Sequence, residues 1–153
     1  MRSFVLCLVA VACLCSADAR AADRQGTWKL NVDKSDFGGM PGPKSLVMTI
    51  KETDQQVLVD QKMESDMGDM DMHLKFDKGK ESVNQIMGME FHTKLSNTSE
   101  GEQEDSWADL PDGGKIERKA VSKVSDDGKV MTSNVWMKSP MGEANQKLIF
   151  DKQ

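Results

Sequence analysis

Residues 63–73 read MESDMGDMDMH: four methionines, four carboxylates and one histidine in eleven positions. Thioethers are soft ligands that suit Cu(I), so Met63, Met67, Met70, Met72 and His73 form a candidate copper set if residues 63–70 are a loop. A second M-x-M-x-x-H lies at Met87, Met89 and His92. Methionine also serves as a flexible apolar filler of irregular interiors. Spacing favours this second use. In residues 69–77, DMDMHLKFD, Met70, Met72, Leu74 and Phe76 alternate with Asp71, His73, Lys75 and Asp77. A period of two is that of a β-strand, and it sends His73 to the face opposite the methionines. Asp66, Asp69 and Asp71 match no complete Ca²⁺ loop pattern.

Catalytic chemistry has little support. The three cysteines, Cys7, Cys13 and Cys15, all fall within the first 21 residues. With two histidines and no G-x-S-x-G elbow, a Ser-His-Asp site is unsupported. Neither a phosphate-binding loop nor H-E-x-x-H occurs. Glu102, Glu104 and Asp105 read as acids on a solvated strand face. The expectation is a protein that is not an enzyme.

The elements that must hold these residues are short strands. Gly, Pro, Asp, Asn and Ser cluster at 38–43, 53–56, 65–69, 77–80, 97–102, 111–115, 125–129 and 139–143. Eight turns imply nine strands, near 26–33, 44–52, 57–63, 69–76, 81–95, 102–110, 115–124, 130–138 and 143–151. The fold class is therefore all-β, a single antiparallel up-and-down β-barrel of about 8–10 strands. Within 81–95, Val83, Gln85, Met87, Met89, Phe91 and Leu95 share one face, with Gly88 marking a bulge. Within 115–124, Ile116, Arg118, Ala120, Ser122 and Val124 share another. If that face is inward, Arg118 enters the barrel and needs a carboxylate, a carbonyl or an anionic ligand. Gln61, Gln85 and Gln146 also fall on inner faces. Such polar residues suit a wet or ligand-filled cavity better than a packed core.

The N-terminus reads as an export signal. Arg2 precedes an apolar run over residues 4–15, and Ala19 and Ala21 supply a small-residue cleavage site. The expected division is a signal peptide at 1–21 and a cysteine-free barrel domain at 22–153, secreted or periplasmic, with no membrane span in the mature form. Without Arg2, Asp18 and Arg20 the charge is 18 basic against 24 acidic residues, a net −6. With no basic patch, nucleic acid is a poor partner. Asn97-Thr98-Ser99 is a glycosylation sequon that fits an exposed loop.

The stretch GTWKLNVDKS, residues 26–35, places Trp28, Leu30 and Val32 on one strand face. Its Gly26-x-Trp28 resembles the opening of lipocalins and related calycin barrels, and GTWKL is similar to the start of fatty-acid-binding proteins. The final KLIFDKQ, residues 147–153, resembles the end of the latter group. Two features depart from it. The inward Arg-x-Tyr that holds a carboxylate in those proteins is here Leu148 and Phe150, and residues 37–45, FGGMPGPKS, are too short for their helix pair. The resemblance implies a small barrel that binds an apolar molecule in its interior. The expected site comprises Trp28, Met48, Met70, Met72, Gln85, Met87, Met89, Arg118, Gln146 and Phe150. The expected role is non-catalytic, exported binding of a small, mostly apolar molecule, with no cofactor. The alternatives are periplasmic Cu(I) binding through residues 63–73, and a closed barrel acting as an interaction module.

Overall fold

The computed structural model describes residues 23–153. The expected signal segment and its three cysteines lie outside them. Ten strands follow one another: β1 Gly26–Leu30, β2 Ser45–Glu52, β3 Gln56–Glu64, β4 Met70–Asp77, β5 Glu81–Ile86, β6 Met89–Thr98, β7 Gly101–Asp109, β8 Lys115–Val124, β9 Val130–Ser139 and β10 Gly142–Lys152. All neighbours are antiparallel, in the order β4-β3-β2-β1-β10-β9-β8-β7-β6-β5. The β1–β10 ladder joins the first strand to the last, so the meander curls into a nearly closed up-and-down barrel. No helix among the described residues is long and apolar enough to cross a membrane.

The expected strand at 81–95 is two strands. Met87 and Gly88 both have positive φ, 51° and 77°, and Ile86 pairs directly with Met89. A two-residue connection with both residues left-handed matches the right-handed twist of a hairpin. It also shifts the alternation. Ile86 and Met89 share the inner face, so β5 turns Asn84 and Ile86 inward and Val83, Gln85 and Met87 outward. Val83 is 52% exposed and Met87 75%. The expected inward positions of Gln85 and Met87 are therefore corrected: a bulge keeps the chain running, whereas a turn reverses which parity faces in.

The first strand is shorter than expected. After Leu30 the chain makes a single 3-10 turn, Val32–Lys34, which leaves Val32 exposed. The following segment is stitched to β10. Asp36 and Lys147 exchange backbone hydrogen bonds of 2.8 Å, and Gln146 Nε2 donates to the Phe37 carbonyl at 3.3 Å.

Packed core fills one end of the barrel. Ile50, Val57, Phe76, Val124 and Met131 lie beside the 53–55, 78–80 and 125–129 turns and cluster with Trp28, Leu30, Leu46 and Phe150. Trp28 is wholly buried, with Nε1 donating to the Arg24 carbonyl at 2.8 Å and Lys152 Nζ 5.2 Å above its ring.

Between β4 and β5 no ladder forms, and a side chain takes its place. Asn84 Oδ1 accepts from the Lys75 N–H at 2.9 Å, and its Nδ2 donates to the Lys75 carbonyl at 3.0 Å. Ser82 Oγ accepts from the Asp77 N–H at 2.7 Å. The Asn84 carboxamide thus supplies one rung of a ladder, satisfying an otherwise open edge. Asn84→Ala is expected to cost about 1–2 kcal/mol, the worth of two hydrogen bonds at a partly solvated site. Amide hydrogen exchange checks this: the Lys75 amide should exchange faster in the variant, and unchanged protection there would show that Asn84 does not hold the seam.

Candidate ligand cavity

The barrel encloses a cavity of about 350 Å³ that reaches down to the packed core, where Ile50, Val57, Phe76 and Met131 also line it. Its apolar wall draws on many strands, with Leu46 and Met48 from β2, Met72 and Leu74 from β4, Ile86 and Phe91 around the β5–β6 turn, and Leu148 and Phe150 from β10. Strand alternation is the reason: each contributes every second side chain.

Four charged residues also line it: Arg24, Glu102, Glu104 and Arg118. They form two ion pairs. Arg118 Nη1 donates to Glu104 Oε1, which also accepts from Ser106 Oγ at 2.7 Å. Ser106 Oγ lies 3.1 Å from Thr93 Oγ1, so a hydroxyl chain supports the carboxylate. Arg24 Nη1 sits 2.6 Å from Glu102 Oε1. Arg24 Nη2 is buried without a hydrogen-bond partner, and Glu52 Oε1 is 3.9 Å away, itself paired to Lys78 Nζ at 2.9 Å.

The two glutamates titrate in opposite directions. Burial opposes the Glu104 charge, but the Arg118 guanidinium and the hydrogen bonds from Ser106 and Arg118 outweigh it and hold the carboxyl below its ordinary value. For Glu102 burial prevails, reinforced by Glu52 and Glu104, and the carboxyl lies above its ordinary value despite Arg24.

The expected site residues divide. Met48, Met72, Arg118 and Phe150 line the cavity. Trp28 does not, being sealed in the core, and Gln146 is tied to Phe37 rather than to the cavity. Met70 is half-buried opposite Met63 on β3, and Met89 is half-buried opposite Ile86; neither lines the cavity. Gln85 lies outside, bonded to Glu90 at 3.1 Å, and Met87 projects from a turn. The candidate copper residues do not converge. Met67 is 96% exposed at a loop tip, Met72 points inward, and His73 points outward with Nδ1 2.6 Å from Asp60 Oδ1. His92 is also on the outer surface, stacked on Trp107 with ring centroids 5.5 Å apart.

Glu102, Glu104 and Arg24 were not legible as site residues. Glu102 and Glu104 alternate with Gln103 and Asp105 in an acidic run, which reads as solvated. The available signal lay further along β7, where Ser106 and Ala108 continue the same parity as small residues against the core.

No protein-family model matches the sequence, and no curated protein matches it. Solved structures do. A zebrafish ileal bile acid-binding protein complexed with cholic acid superposes with a TM-score of 0.57 at 16% identity, covering 84% of this chain and 98% of that one. A secretory abundant heat soluble protein from Ramazzottius varieornatus gives 0.58 at 15%, covering 85% and 95%. Caenorhabditis elegans lipid binding protein 8 gives 0.56 at 13%, covering 84% and 94%. The chain has the calycin-type barrel fold that these proteins share.

Linkage fixes the sign of the pH response. A lowered Glu104 carboxyl contributes stability above the ordinary glutamate value, near 4.3, that is lost as pH falls through its folded value. A raised Glu102 carboxyl contributes stability below that ordinary value that is lost as pH rises through its folded value. Denaturation midpoints between about pH 3 and 7 should therefore show Glu104→Gln well below wild type at pH 7 and converging on it in acid. Wild type should lose ground to Glu102→Gln as pH rises. Parallel curves for both variants would contradict these assignments.

Proposed function

We propose that this chain is an exported, non-catalytic binding protein for a small, mostly apolar molecule held inside the barrel. The cavity carries the reading: its walls are largely apolar, with a few polar groups set among them, as small-molecule sites are built. Its volume falls in the lower part of the usual range for such sites, which suits a compact ligand. Binding of bile acid or lipid by barrels of this fold, as the names of the neighbours state, points the same way.

The chemistry of the interior suits binding rather than turnover. Both histidines stand on the outer face, away from the cavity. Ser106 donates to a carboxylate whose lowered pKa makes it a weak base. Arg2, the apolar run at 4–15 and the small residues Ala19 and Ala21 support export.

Titration of residues 22–153 with an uncharged solvatochromic naphthylamine tests the reading. Emission should rise and shift blue with saturable, one-to-one binding. Met72→Trp, which fills part of the cavity, should weaken binding about tenfold, or 1.4 kcal/mol, while the fold is kept. Failure of the wild-type protein to bind any apolar probe would overturn the proposal.

A further inference from the structure

The charges inside the barrel restrict what can enter it. Each arginine in the cavity wall already has a carboxylate: Arg118 has Glu104, and Arg24 has Glu102 with Glu52 beyond. The four charged wall residues sum to zero. A carboxylate ligand entering this space would find each guanidinium already facing a carboxylate, with only Arg24 Nη2 left to donate, and it would meet Glu102 and Glu104 beside it. A cationic ligand would meet Arg24 and Arg118 in the same way. Either adds an unpaired charge to a low-dielectric site.

Apart from Arg24 Nη2, one polar group of the wall is placed differently. Gln61 on β3 lies directly between Met48 and Met72 across the ladders, and all three line the cavity. Its carboxamide carries no charge and is engaged by no hydrogen bond among the described residues, unlike Asn84, Ser106 or Ser122 in the same wall. An amide offers both a donor and an acceptor, so it matches a hydroxyl or carbonyl oxygen.

We propose that the ligand is uncharged: an apolar molecule whose one polar group, a hydroxyl or a carbonyl, hydrogen-bonds the Gln61 carboxamide between Met48 and Met72. This rests on the binding function proposed above. Arg118 is then a structural cation, held by Glu104, and not the anchor of an anionic ligand.

Matched polyene probes that differ only in the end group separate the possibilities. cis-Parinaryl alcohol and cis-parinaric acid should be titrated into residues 22–153 at about pH 7.5, where the acid is ionised. The alcohol should bind at least about tenfold more tightly. Gln61→Leu should weaken the alcohol about fivefold and leave the acid little changed. Glu104→Gln, which frees the Arg118 charge, should narrow or invert the preference; the wild-type and Gln61→Leu comparisons stand without it if that variant folds poorly. Equal or tighter binding of the acid by wild type would overturn the inference and leave the binding function intact. Undiminished alcohol binding by Gln61→Leu would remove Gln61 as the anchor and overturn the proposal as stated. Binding of neither probe would overturn both this inference and the function it rests on.

Discussion

Two arginines inside an apolar barrel have to be neutralised from within, and the interior is arranged around that requirement. Moving a guanidinium out of water is costly unless a carboxylate and further hydrogen bonds meet it. Arg118 on β8 obtains Glu104 from the neighbouring β7, and Ser106 and Thr93 extend the support to β6. Arg24 obtains Glu102 from the same β7. That strand supplies both anions, because alternation turns Glu102, Glu104 and Ser106 to one side together. The network occupies wall that aliphatic side chains would otherwise fill, and its Arg24–Glu102 pair lies at the same end as the packed core, where Trp28 Nε1 donates to the Arg24 carbonyl.

The seam and the cavity share a residue. Asn84 replaces a backbone rung between β4 and β5 and also lines the cavity. The sheet is therefore closed by a side chain at the point where the wall is thinnest in hydrogen bonds. Methionine use follows the same division between inside and outside. Met48 and Met72 are adaptable wall, whereas the exposed Met40, Met67, Met87 and Met141 all lie in connections at one end of the barrel. The opposite connections, 53–55, 78–80 and 125–129, carry polar residues and glycine.

The barrel was legible because its signals are local and repeated. Turn clusters recur at even spacing, and period-two alternation grouped Met72 with Leu74 in residues 69–77 and Arg118 with Ser122 in residues 115–124, the groups that line the cavity. The positions placed on the wrong face trace to one event. Met87-Gly88 reads equally as a bulge or a turn, and choosing the bulge reverses parity on β5, moving Gln85 and Met87 to the wrong face. Trp28 lay on the correct face, but alternation gives orientation and not height along the barrel, so core and cavity wall could not be told apart. The partner of Arg118 was hidden for a different reason. Charge runs are ordinarily solvated, and only the register of β7 against β8, which aligns Ser106 with Arg118, brings Glu104 within reach.

On the proposed function, the barrel interior holds an uncharged, mostly apolar molecule among paired charges. Native mass spectrometry of the protein isolated from its own host, with the released molecule identified after gentle activation, tests it most directly. One organic molecule per chain, without an ionised group at neutral pH, is expected. A copper adduct, or a carboxylate ligand retained at full occupancy, would contradict it.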